Sequence, residues 1–341
     1  MRVLITGVAG FVGGHVADYF KKKGWDVCGI DNLTDYELKR EFDVKKVRKH
    51  NLDYLKKIKC KFAKADCRTI TATELKKYFG EIDYIIHCAA QPTMTLAIED
   101  PKYDADDNII SVVNMLLVAR YFNCPFANCS SIHVYGNKLN NKLKPRPTRF
   151  TCIPAEIKET TKILRGELTP LHVSKRSTEL YVQCFSETYG LRACSFRLTG
   201  MFGERQFGGM DHGWVANFAI RTIIGRPLTV FGTDKQVRDI LYASDVSRAF
   251  EMWYYWGKSK IYNIGGGMEN SISINECLRE LRKITKKKQT IKKLPKRKGD
   301  LWYFVCDYKT AYKDFGWKPL VSPKEGLKRI CKWIKKNKKI M

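Results

Sequence analysis

Short apolar, β-branched runs alternate with segments of helical periodicity through the first two hundred residues. Helical segments such as 11–23 and 107–122 separate the runs, and Gly, Asp and other polar residues bound them. Because parallel strands need long crossover connections, this alternation predicts a parallel sheet with helices on both faces. The predicted strands are RVLIT (2–6), DVCGI (26–30), KCKFAKAD (59–66), DYIIHCAA (83–90), CPFANCSS (124–131) and RACSFRL (192–198).

The alternation is interrupted at residues 139–168, which are rich in Pro, Lys and Thr. We interpret them as a long insertion over the rim of an active site. Beyond residue 198 a glycine-rich loop is followed by a mixture of short strands and helices, which predicts a second, smaller α/β unit. Its predicted elements are LTVFG (228–232), KIYNIGG (260–266), helices near 273–286 and 323–337, and a lysine-rich loop at 285–299.

Composition limits the classes of protein to which the chain can belong. At 341 residues with 44% apolar residues it can bury a full core. The net charge of +27 comes mostly from scattered lysines, and without zinc-finger spacing or a basic region with heptads it indicates a solvated surface. We therefore expect no specific nucleic-acid partner. No apolar run reaches the roughly 18 residues of a membrane span, and the N-terminus does not have the pattern of a signal peptide.

The twelve cysteines are scattered singly along the chain, and none forms a C-x-x-C pair. This pattern favours reduced, partly buried thiols in a cytoplasmic protein over a disulfide framework. It predicts no metal site.

The first candidate chemistry lies between the first strand and the first helix. Gly7, Gly10 and Gly13 form G-x-x-G-x-x-G, which lets the backbone turn sharply and approach a pyrophosphate at the helix N-terminus. The next strand ends at Asp31, 24 residues after Gly7. A carboxylate there accepts hydrogen bonds from both ribose hydroxyls and repels a 2′-phosphate, so the pattern favours NAD over NADP. Asp66, after the third strand, is either an adenine contact or a solvated loop residue.

With these residues the chain resembles the extended short-chain dehydrogenase/reductases, specifically the NAD-dependent nucleotide-sugar epimerases and dehydratases. The resemblance runs from Gly7 to about Pro319. Within the family it is closest to the CDP-paratose (CDP-tyvelose) 2-epimerases, because of AAQPTMT, RQFGGMDHGWVANF and FGTDKQVRD. The other segments that carry the resemblance are HCAAQPTM (87–94), SSIHVYG (130–136), FRLTGMFGERQ (196–206), VFGTDKQVRDILYASDV (230–246) and KRKGD (296–300).

The resemblance implies a Rossmann fold, a doubly wound parallel sheet, with a smaller α/β C-terminal domain for substrate. We expect the NAD-binding domain to span 1–190, including the 139–168 insertion, and to take in strands near 193–198, 228–231 and 261–264. Residues 199–227 and 266–341 are then expected to form the substrate-binding domain.

The resemblance also assigns expected roles to individual residues. Ser131, Lys175, His172 and His133 are the catalytic candidates. The expected cofactor-binding residues are Gly7, Gly10, Phe11, Val12, Asp31, Asn32, Asp66, Cys67, Ala89, Ala90, Gln91, Asn108, Lys175, Leu198 and Thr199. The expected substrate-binding residues are Thr93, Ser131, Arg205, Gln206, Val215, Arg238 and Arg297.

The chain departs from the family at one position. The family's Y-x-x-x-K tyrosine is replaced by Leu171, which cannot donate, accept or ionise. Losing a positioned acid/base costs about 10²–10⁴ in rate. Three hypotheses follow: another group carries the proton, the chain binds without turnover, or a tyrosine arrives from elsewhere. His172 has a suitable unperturbed pKa but projects about 100° from Leu171 around the helix, and His133, His212 and Tyr135 are further candidates.

The implied reaction is epimerisation through a transient keto sugar, in which hydride leaves the sugar for bound NAD and returns to the opposite face. Ile132 and His133 stand where dehydratases carry an Asp-Glu pair, so dehydration is disfavoured. Inversion at C2 of a CDP-linked or similar hexose is the principal hypothesis. Other nucleotide-sugar 4-epimerases, dehydrogenases or dehydratases and a silent binder remain alternatives. We expect a nucleotide-sugar substrate, a homodimer and a cytoplasmic location.

Overall fold

The computed structural model describes residues 1–35 and 41–341. Its largest feature is a seven-stranded sheet, in which every neighbouring pair of strands is parallel. The strands of this sheet are β1 Arg2–Thr6, β2 Asp26–Asp31, β3 Lys61–Lys64, β4 Tyr84–His87, β5 Phe126–Ser131, β8 Ala193–Leu198 and β12 Ile261–Ile264.

The strand order is β12-β8-β5-β4-β1-β2-β3, which reverses direction at β1 and β4. Doubly wound sheets bind ligands in the crevice outside the carboxyl ends of the strands at such a reversal. The central strands are buried on both faces, which explains why they are continuous apolar runs in the sequence. The predicted doubly wound parallel sheet is confirmed.

Helices cover both faces of this sheet. Phe20, Trp253 and Phe250 lie in the core on one face, whereas Leu116 and Val182 lie in the core on the other. The helices of the chain are α1 Phe11–Lys22, α2 Val44–Lys57, α3 Ala72–Phe79, α4 Met94–Glu99, α5 Pro101–Ala105, α6 Ser111–Tyr121, α7 Pro170–Tyr189, α8 Trp214–Ile224, α9 Ala243–Trp256, α10 Ile274–Thr285, α11 Lys309–Phe315 and α12 Pro323–Lys336.

A smaller α/β lobe forms around α8, α10 and α12, whose apolar faces share a third core. The predicted strand at 228–231 is part of this lobe and not of the large sheet. It pairs with Ile291–Leu294, so the assignment of 228–231 to the large sheet was wrong. The predicted loop at 285–299 was wrong for residues 291–294, which form a strand, whereas 286–290 and 295–299 contain neither helix nor strand. The remaining strands are β6 Lys144–Pro145, β7 Phe150–Thr151, β9 Gly200–Phe202, β10 Leu228–Phe231, β11 Val237–Tyr242, β13 Ser271–Ser273, β14 Ile291–Leu294 and β15 Tyr303–Phe304.

The predicted insertion, residues 139–168, packs against the smaller lobe. Phe150 stacks on Trp302, with ring centroids 5.7 Å apart, and Arg149 forms an ion pair with Glu276 at the start of α10. Asn140 accepts a hydrogen bond from the Trp302 backbone N–H at 2.8 Å. The segment is therefore an integral part of the fold, held by stacking and charge.

Among the helices within the described ranges, none is both long and apolar enough to cross a membrane.

Candidate active site

The glycine-rich loop between β1 and α1 is packed too closely to accept side chains. Gly7 has φ +64°, and a Cβ on it would lie 2.8 Å from the backbone N of Ala89, just beyond β4. A Cβ on Gly13 would lie 2.2 Å from the Gly7 carbonyl oxygen. Gly10 donates its N–H to that carbonyl at 3.0 Å. The loop thus presents bare backbone beside the N-terminus of α1, as a pyrophosphate cradle requires.

Asp31 lies at the end of β2, opposite this loop. One carboxylate oxygen accepts the Ala9 N–H at 3.0 Å, and the other accepts the Leu33 N–H at 2.8 Å. Burial raises the pKa of Asp31, while these two hydrogen bonds act in the opposite direction. The residue therefore orders both loops at the expected ribose position. Asn32 donates to Asp66 at 3.3 Å, and Arg68 pairs with Asp66, lowering its pKa to about 2.

A buried polar network follows β4. Asn108 accepts the Gln91 N–H at 3.0 Å and donates to the Gln91 carbonyl at 3.1 Å and to Asp104 at 2.9 Å. It also donates to Ser174 on α7 at 3.2 Å. Asn108 lies in a π-helical turn, Asp106–Ile110, which continues into α6. This network fixes the segment Ala89–Ala90–Gln91 against α7, so Asn108 and Gln91 position the site through the backbone.

Lys175 is buried beneath the carboxyl ends of β4 and β5. Its Nζ donates to the Cys129 carbonyl at 3.3 Å, two residues before Ser131, and burial lowers its pKa. Cys129 on β5 and Cys88, directly after β4, have sulfurs 3.7 Å apart. Ser131 is partly exposed, and its Oγ accepts the His133 N–H at 3.3 Å. The structure thus brings Ser131 and Lys175 to the same edge of the sheet as the glycine loop.

Leu171 does not leave an open position where the tyrosine is missing. Its side chain is 1% exposed and packs in a small apolar cluster with Met94 and Ala97 of α4. The described part of the chain does not supply a substitute from Tyr135 either. That phenol is buried, accepts from Arg197 at 3.0 Å and donates to Asn263 at 2.8 Å, so the suggestion that it carries the proton was wrong.

His133 and His172 meet near Lys175. Their rings are in edge-to-face contact with centroids 5.6 Å apart. Burial lowers the pKa of His133 to about 3 and that of His172 to about 4. His172 is fully buried and His133 is partly exposed. Among the histidines near Lys175, His133 is therefore the better placed to meet a ligand.

Arg238 and Arg297 converge on one carboxylate. Arg238 lies 3.9 Å and Arg297 3.8 Å from the same oxygen of Asp300. Arg238 also donates to the Leu301 carbonyl, and Arg297 lies over the Phe231 ring at 4.6 Å from its centroid. Both arginines act electrostatically on His133. The structure therefore places the two predicted phosphate-binding cations together and adjacent to the histidine pair.

Four predicted substrate residues do not join this cluster. Arg205 stacks on Tyr54 of α2 at 3.8 Å, toward the helices of the larger lobe. Gln206 donates to the Met201 carbonyl at 3.2 Å. Thr93 caps α4 by accepting the Leu96 N–H at 3.3 Å. Val215 is 1% exposed and packs in the apolar core of the smaller lobe.

The remaining predicted cofactor residues line the glycine loop and the adjoining strands. Phe11 opens α1 and packs on His15, with Val12 partly buried beside it. Cys67 and Leu198 are buried core residues, so their side chains serve packing. Thr199 is buried, and its hydroxyl has no hydrogen-bond partner among the residues that the structure describes. His212 lies in the glycine-rich loop before α8.

Sequence reasoning missed two residues that organise the site. Asp300 joins the two arginines, and its signal was present in the KRKGD segment that nominated Arg297. Thr169 contacts the His172 imidazole through both its backbone N–H and its hydroxyl. A threonine before a proline that opens a helix is an N-cap signature, and this was its only signal in the sequence.

Comparison with known proteins gives consistent results. The model of the NAD dependent epimerase/dehydratase family matches residues 3–265. The CDP-paratose 2-epimerase of Salmonella typhi is 31% identical over 98% of this chain and 99% of its own length. Crystal structures of UDP-glucose 4-epimerase resemble the fold throughout. That from Thermotoga maritima, with UDP-glucose, has a TM-score of 0.81 at 28% identity, covering 99% of each chain. That from Thermus thermophilus, with NAD, has a TM-score of 0.80 at 26% identity, covering 98% of this chain and 99% of the other.

Proposed function

The chain belongs to the NAD dependent epimerase/dehydratase family, and on that premise we propose that it inverts C2 of a CDP-linked or similar NDP-hexose. The observation that carries the proposal is the grouping of the glycine cradle, Asp31, Ser131 and Lys175 at one carboxyl edge of the sheet. The pair Arg238 and Arg297 shares Asp300 and acts on His133, which follows Ser131 at that edge. A dinucleotide cradle and a phosphate clamp together suit a nucleotide sugar.

The residues at the cradle fit NAD. A Cβ at Gly7, Gly10 or Gly13 would lie 3.1 Å or less from a backbone oxygen or nitrogen, so the loop must remain bare backbone, which a pyrophosphate can approach closely. Asp31 would accept from the adenosine ribose, and Lys175 would hold the nicotinamide ribose. A bound NAD supplies a reversible hydride acceptor, which permits transient oxidation of a sugar carbinol.

The chain's own residues orient the sugar and manage charge on its reacting oxygen. Ser131 would hydrogen-bond the reacting hydroxyl, and Lys175 would supply positive charge beneath it. Arg238 and Arg297 would bind the pyrophosphate, since guanidinium groups form bidentate, charge-assisted hydrogen bonds to phosphate. His133, with His172 behind it, takes the place beside Lys175 from which the missing tyrosine would have acted.

The choice of C2 and of a cytidine nucleotide rests on the similarity to CDP-paratose 2-epimerase. It is also supported by Ile132 and His133, which replace the acidic pair that dehydratases use. The similarity to UDP-glucose 4-epimerases supports C4 inversion as the second candidate.

We propose that the protein is a homodimer. Helices α6 and α7 pack side by side and expose apolar side chains on their outer surface. Leu117 and Tyr121 on α6 are 49% and 53% exposed, and Val173 and Leu180 on α7 are 47% and 50% exposed. Large side chains grouped on two adjacent helices are typical of an interface, and a second copy of the same pair offers a self-complementary surface.

The experiment that tests the function is a substrate panel. CDP-, UDP-, GDP- and dTDP-hexoses are incubated with the NAD-loaded protein, and the products are identified by NMR and mass spectrometry. We expect inversion at C2 of a CDP-hexose, with loss of at least about 10²-fold in Lys175→Met. Inversion at C4 would transfer the assignment to the 4-epimerases. Binding of NAD and a nucleotide sugar without turnover would identify a silent binder.

A further inference from the structure

Two buried nitrogens without partners meet beside Lys175. Within the described part of the chain, His133 Nδ1 and His172 Nε2 are both buried and make no hydrogen bond. Leaving a buried polar atom unpaired costs about 1–3 kcal/mol. The two atoms belong to rings in direct contact, with centroids 5.6 Å apart. Their coincidence suggests that the two rings bond to each other when a ligand orders the site.

Thr169 determines which nitrogen of His172 carries the proton. The Thr169 backbone N–H donates to His172 Nδ1 at 3.1 Å, and the Thr169 hydroxyl lies 2.7 Å from the same atom. A backbone N–H can only donate, so Nδ1 must accept and the neutral ring carries its proton on Nε2. His172 also lies in the first turn of α7, where the helix dipole disfavours an imidazolium.

Burial decides which histidine meets a ligand. His172 is fully buried, with its Nε2 directed away from solvent, whereas His133 is partly exposed and its Nε2 is not among the buried unpaired atoms. His133 directly follows the Ser131–Ile132 segment. It therefore lies close to Ser131, which is proposed to hydrogen-bond the reacting hydroxyl of the sugar. His172 therefore acts on a ligand only through His133.

We propose that Thr169, His172 and His133 form a relay that presents His133 Nε2–H as a neutral hydrogen-bond donor to the reacting oxygen of the sugar. In the ligand-bound protein, His172 Nε2–H donates to His133 Nδ1, which leaves the His133 proton on Nε2. Thr169 and His172 are positioning residues, and His133 touches the substrate. The catalytic part of this inference rests on the proposed function, whereas the tautomers do not.

The electrostatic surroundings keep His133 neutral. The groups that act on it are His172 and Lys175 from α7, Arg238 from β11 and Arg297 from the loop after β14. Burial is the largest cause of its low pKa, and these cations add to it. A neutral imidazole polarises a developing keto oxygen without losing its proton to the bound phosphates. It thus supplies only the donor half of the role that a tyrosine hydroxyl performs. The proton that the sugar hydroxyl loses as its hydride leaves would pass to Lys175, whose pKa is lowered by burial, and would return when the hydride is delivered back.

Gly299 couples the relay to the arginine loop. Its φ is +72°, and a Cβ there would lie 2.9 Å from Thr169 Cγ2 and 3.3 Å from His172 Cε1. The loop carrying Arg297 therefore packs directly on the relay. An arginine loop ordered by the substrate's pyrophosphate would press on the same ring that orients His133.

The first test is the tautomeric state of both histidines, read from long-range 1H–15N NMR correlations of labelled protein. Spectra are recorded with NAD alone and after addition of CDP-glucose or UDP-glucose. We expect neutral Nε2–H forms of His172 and His133 at pH 7, and a downfield shift of the His133 Nε2–H on adding a nucleotide sugar. An Nδ1–H tautomer of either ring, or an imidazolium, would overturn the relay.

The second test compares two variants that both preserve the helix cap. In His172→Gln the amide oxygen still accepts from Thr169 and the NH2 still donates to His133. In His172→Glu the carboxylate also caps, but it accepts from His133 and so moves the proton to Nδ1. We expect His172→Glu to raise the pKa of His133 by about 1–3 units and to lower kcat with little change in KM. His172→Gln should resemble the parent in both, whereas equal behaviour of the two variants would contradict the relay.

Failure of the proposed function is distinguishable from failure of the relay. One outcome is that no nucleotide sugar is turned over, but the two histidine tautomers and the pKa shift of His133 in His172→Glu are as expected. That outcome would support the relay and refute the proposed function. If the parent is active and His133→Ala changes kcat by less than tenfold, the relay has no catalytic role. A donor to a developing oxyanion is worth about 10²–10³ in kcat.

Discussion

Leu171 and His172 lie on either side of Lys175. On an α-helix, residues four and three positions before Lys175 project about 40° to one side of it and about 60° to the other. The 100° between Leu171 and His172 is therefore compatible with both lying near the lysine. Leu171 turns to the apolar cluster with Met94, and His172 turns to His133.

Asp31 is expected to determine the choice of dinucleotide. A carboxylate about 4 Å from a 2′-phosphate would cost about 4 kcal/mol per pair of unit charges at the effective dielectric of a protein surface. We therefore predict that NAD binds at least about 10²-fold more tightly than NADP in calorimetry. Asp31→Asn should reduce the difference in affinity between NAD and NADP, while its amide oxygen still accepts a hydrogen bond from the Ala9 or Leu33 N–H. Tighter binding of NADP to the parent would refute the assignment.

Arg297 is expected to bind substrate, whereas the lysines near it are not. We predict that Arg297→Lys raises KM for a nucleotide sugar by one to two orders of magnitude, because a bidentate contact to phosphate is lost; each tenfold is about 1.4 kcal/mol. The matched control is Lys292→Gln with Lys293→Gln on β14, which removes two exposed charges nearby. Equal effects of the two changes would show that general charge, and not the Asp300-linked arginines, attracts the substrate.

At the scale of elements, the packing of α4 on α7 occupies the region around residue 171. Met94 and Ala97 on α4 contact Leu171, and the buried network of Asn108 ties α7 to the segment after β4. The site therefore combines the buried hydrogen-bond network of Asn108 with apolar packing around Leu171.

Restoring the tyrosine is expected to strain this packing. We predict that Leu171→Tyr lowers the free energy of unfolding by about 1–3 kcal/mol, because the larger ring overfills a buried site. Adding Met94→Ala should recover part of this loss, so the two changes should be less destabilising together than their separate effects imply. Urea denaturation of the single and double variants measures the coupling. Leu171→Met, which conserves volume, is the control, and strictly additive effects would mean that the tyrosine points elsewhere.

At the scale of the molecule, buried histidines make stability depend on pH. Burial lowers the pKa of His15 and His87 to about 3, as it does for His133, and lowers that of His172 to about 4. The unfolded chain takes up protons near pH 6.5, whereas the folded chain does so only near pH 3–4. Their contribution to stability is thus complete above pH 6.5 and is lost as the pH falls.

We predict that the free energy of unfolding falls between pH 6.5 and 4 by up to about 1.4 kcal/mol per pH unit for each such histidine. Four carboxyl groups of the described residues act in the opposite direction, because burial raises the pKa of Asp239 to about 7, that of Asp107 to about 6, and those of Asp31 and Asp104. Burial also lowers the pKa of His50 and His212, so the described histidines outnumber these carboxyl groups six to four. Urea titrations at pH 7 and pH 5 measure the slope. His87→Gln should reduce this slope by the contribution of one proton. Greater stability at pH 5 than at pH 7 would contradict the prediction.

The proposed dimer is tested by charging its surface. We predict that Leu117→Glu with Leu180→Glu converts a particle of twice 39.4 kDa into one of 39.4 kDa in light scattering, because two carboxylates would be buried without partners. Leu320→Glu, which changes a 65% exposed leucine outside α6 and α7, is the control and should leave the mass unchanged. A parent protein that is already monomeric would refute the proposed interface.

The sequence by itself determined the larger lobe and the candidate residues at its sheet edge. Strand and helix periodicity, the Gly7 to Gly13 spacing and Asp31 are local signals, and their local contacts fix the first strands and the glycine loop. The strand at 228–231 was assigned to the wrong sheet because an isolated apolar run does not encode its partner. Its pairing with residues 291–294 joins positions about sixty residues apart along the chain.

Only the tertiary structure decided the arrangement that surrounds Lys175. Three contacts depend on where five separate segments of the chain meet. Arg238 and Arg297 share Asp300, Leu171 packs against Met94, and His172 is buried behind His133. Thr169 has its effect through hydrogen bonds to one imidazole nitrogen, and which nitrogen accepts depends on the three-dimensional orientation of the ring. Residue types show which protons could move, but packing and hydrogen bonding decide which atom holds the proton.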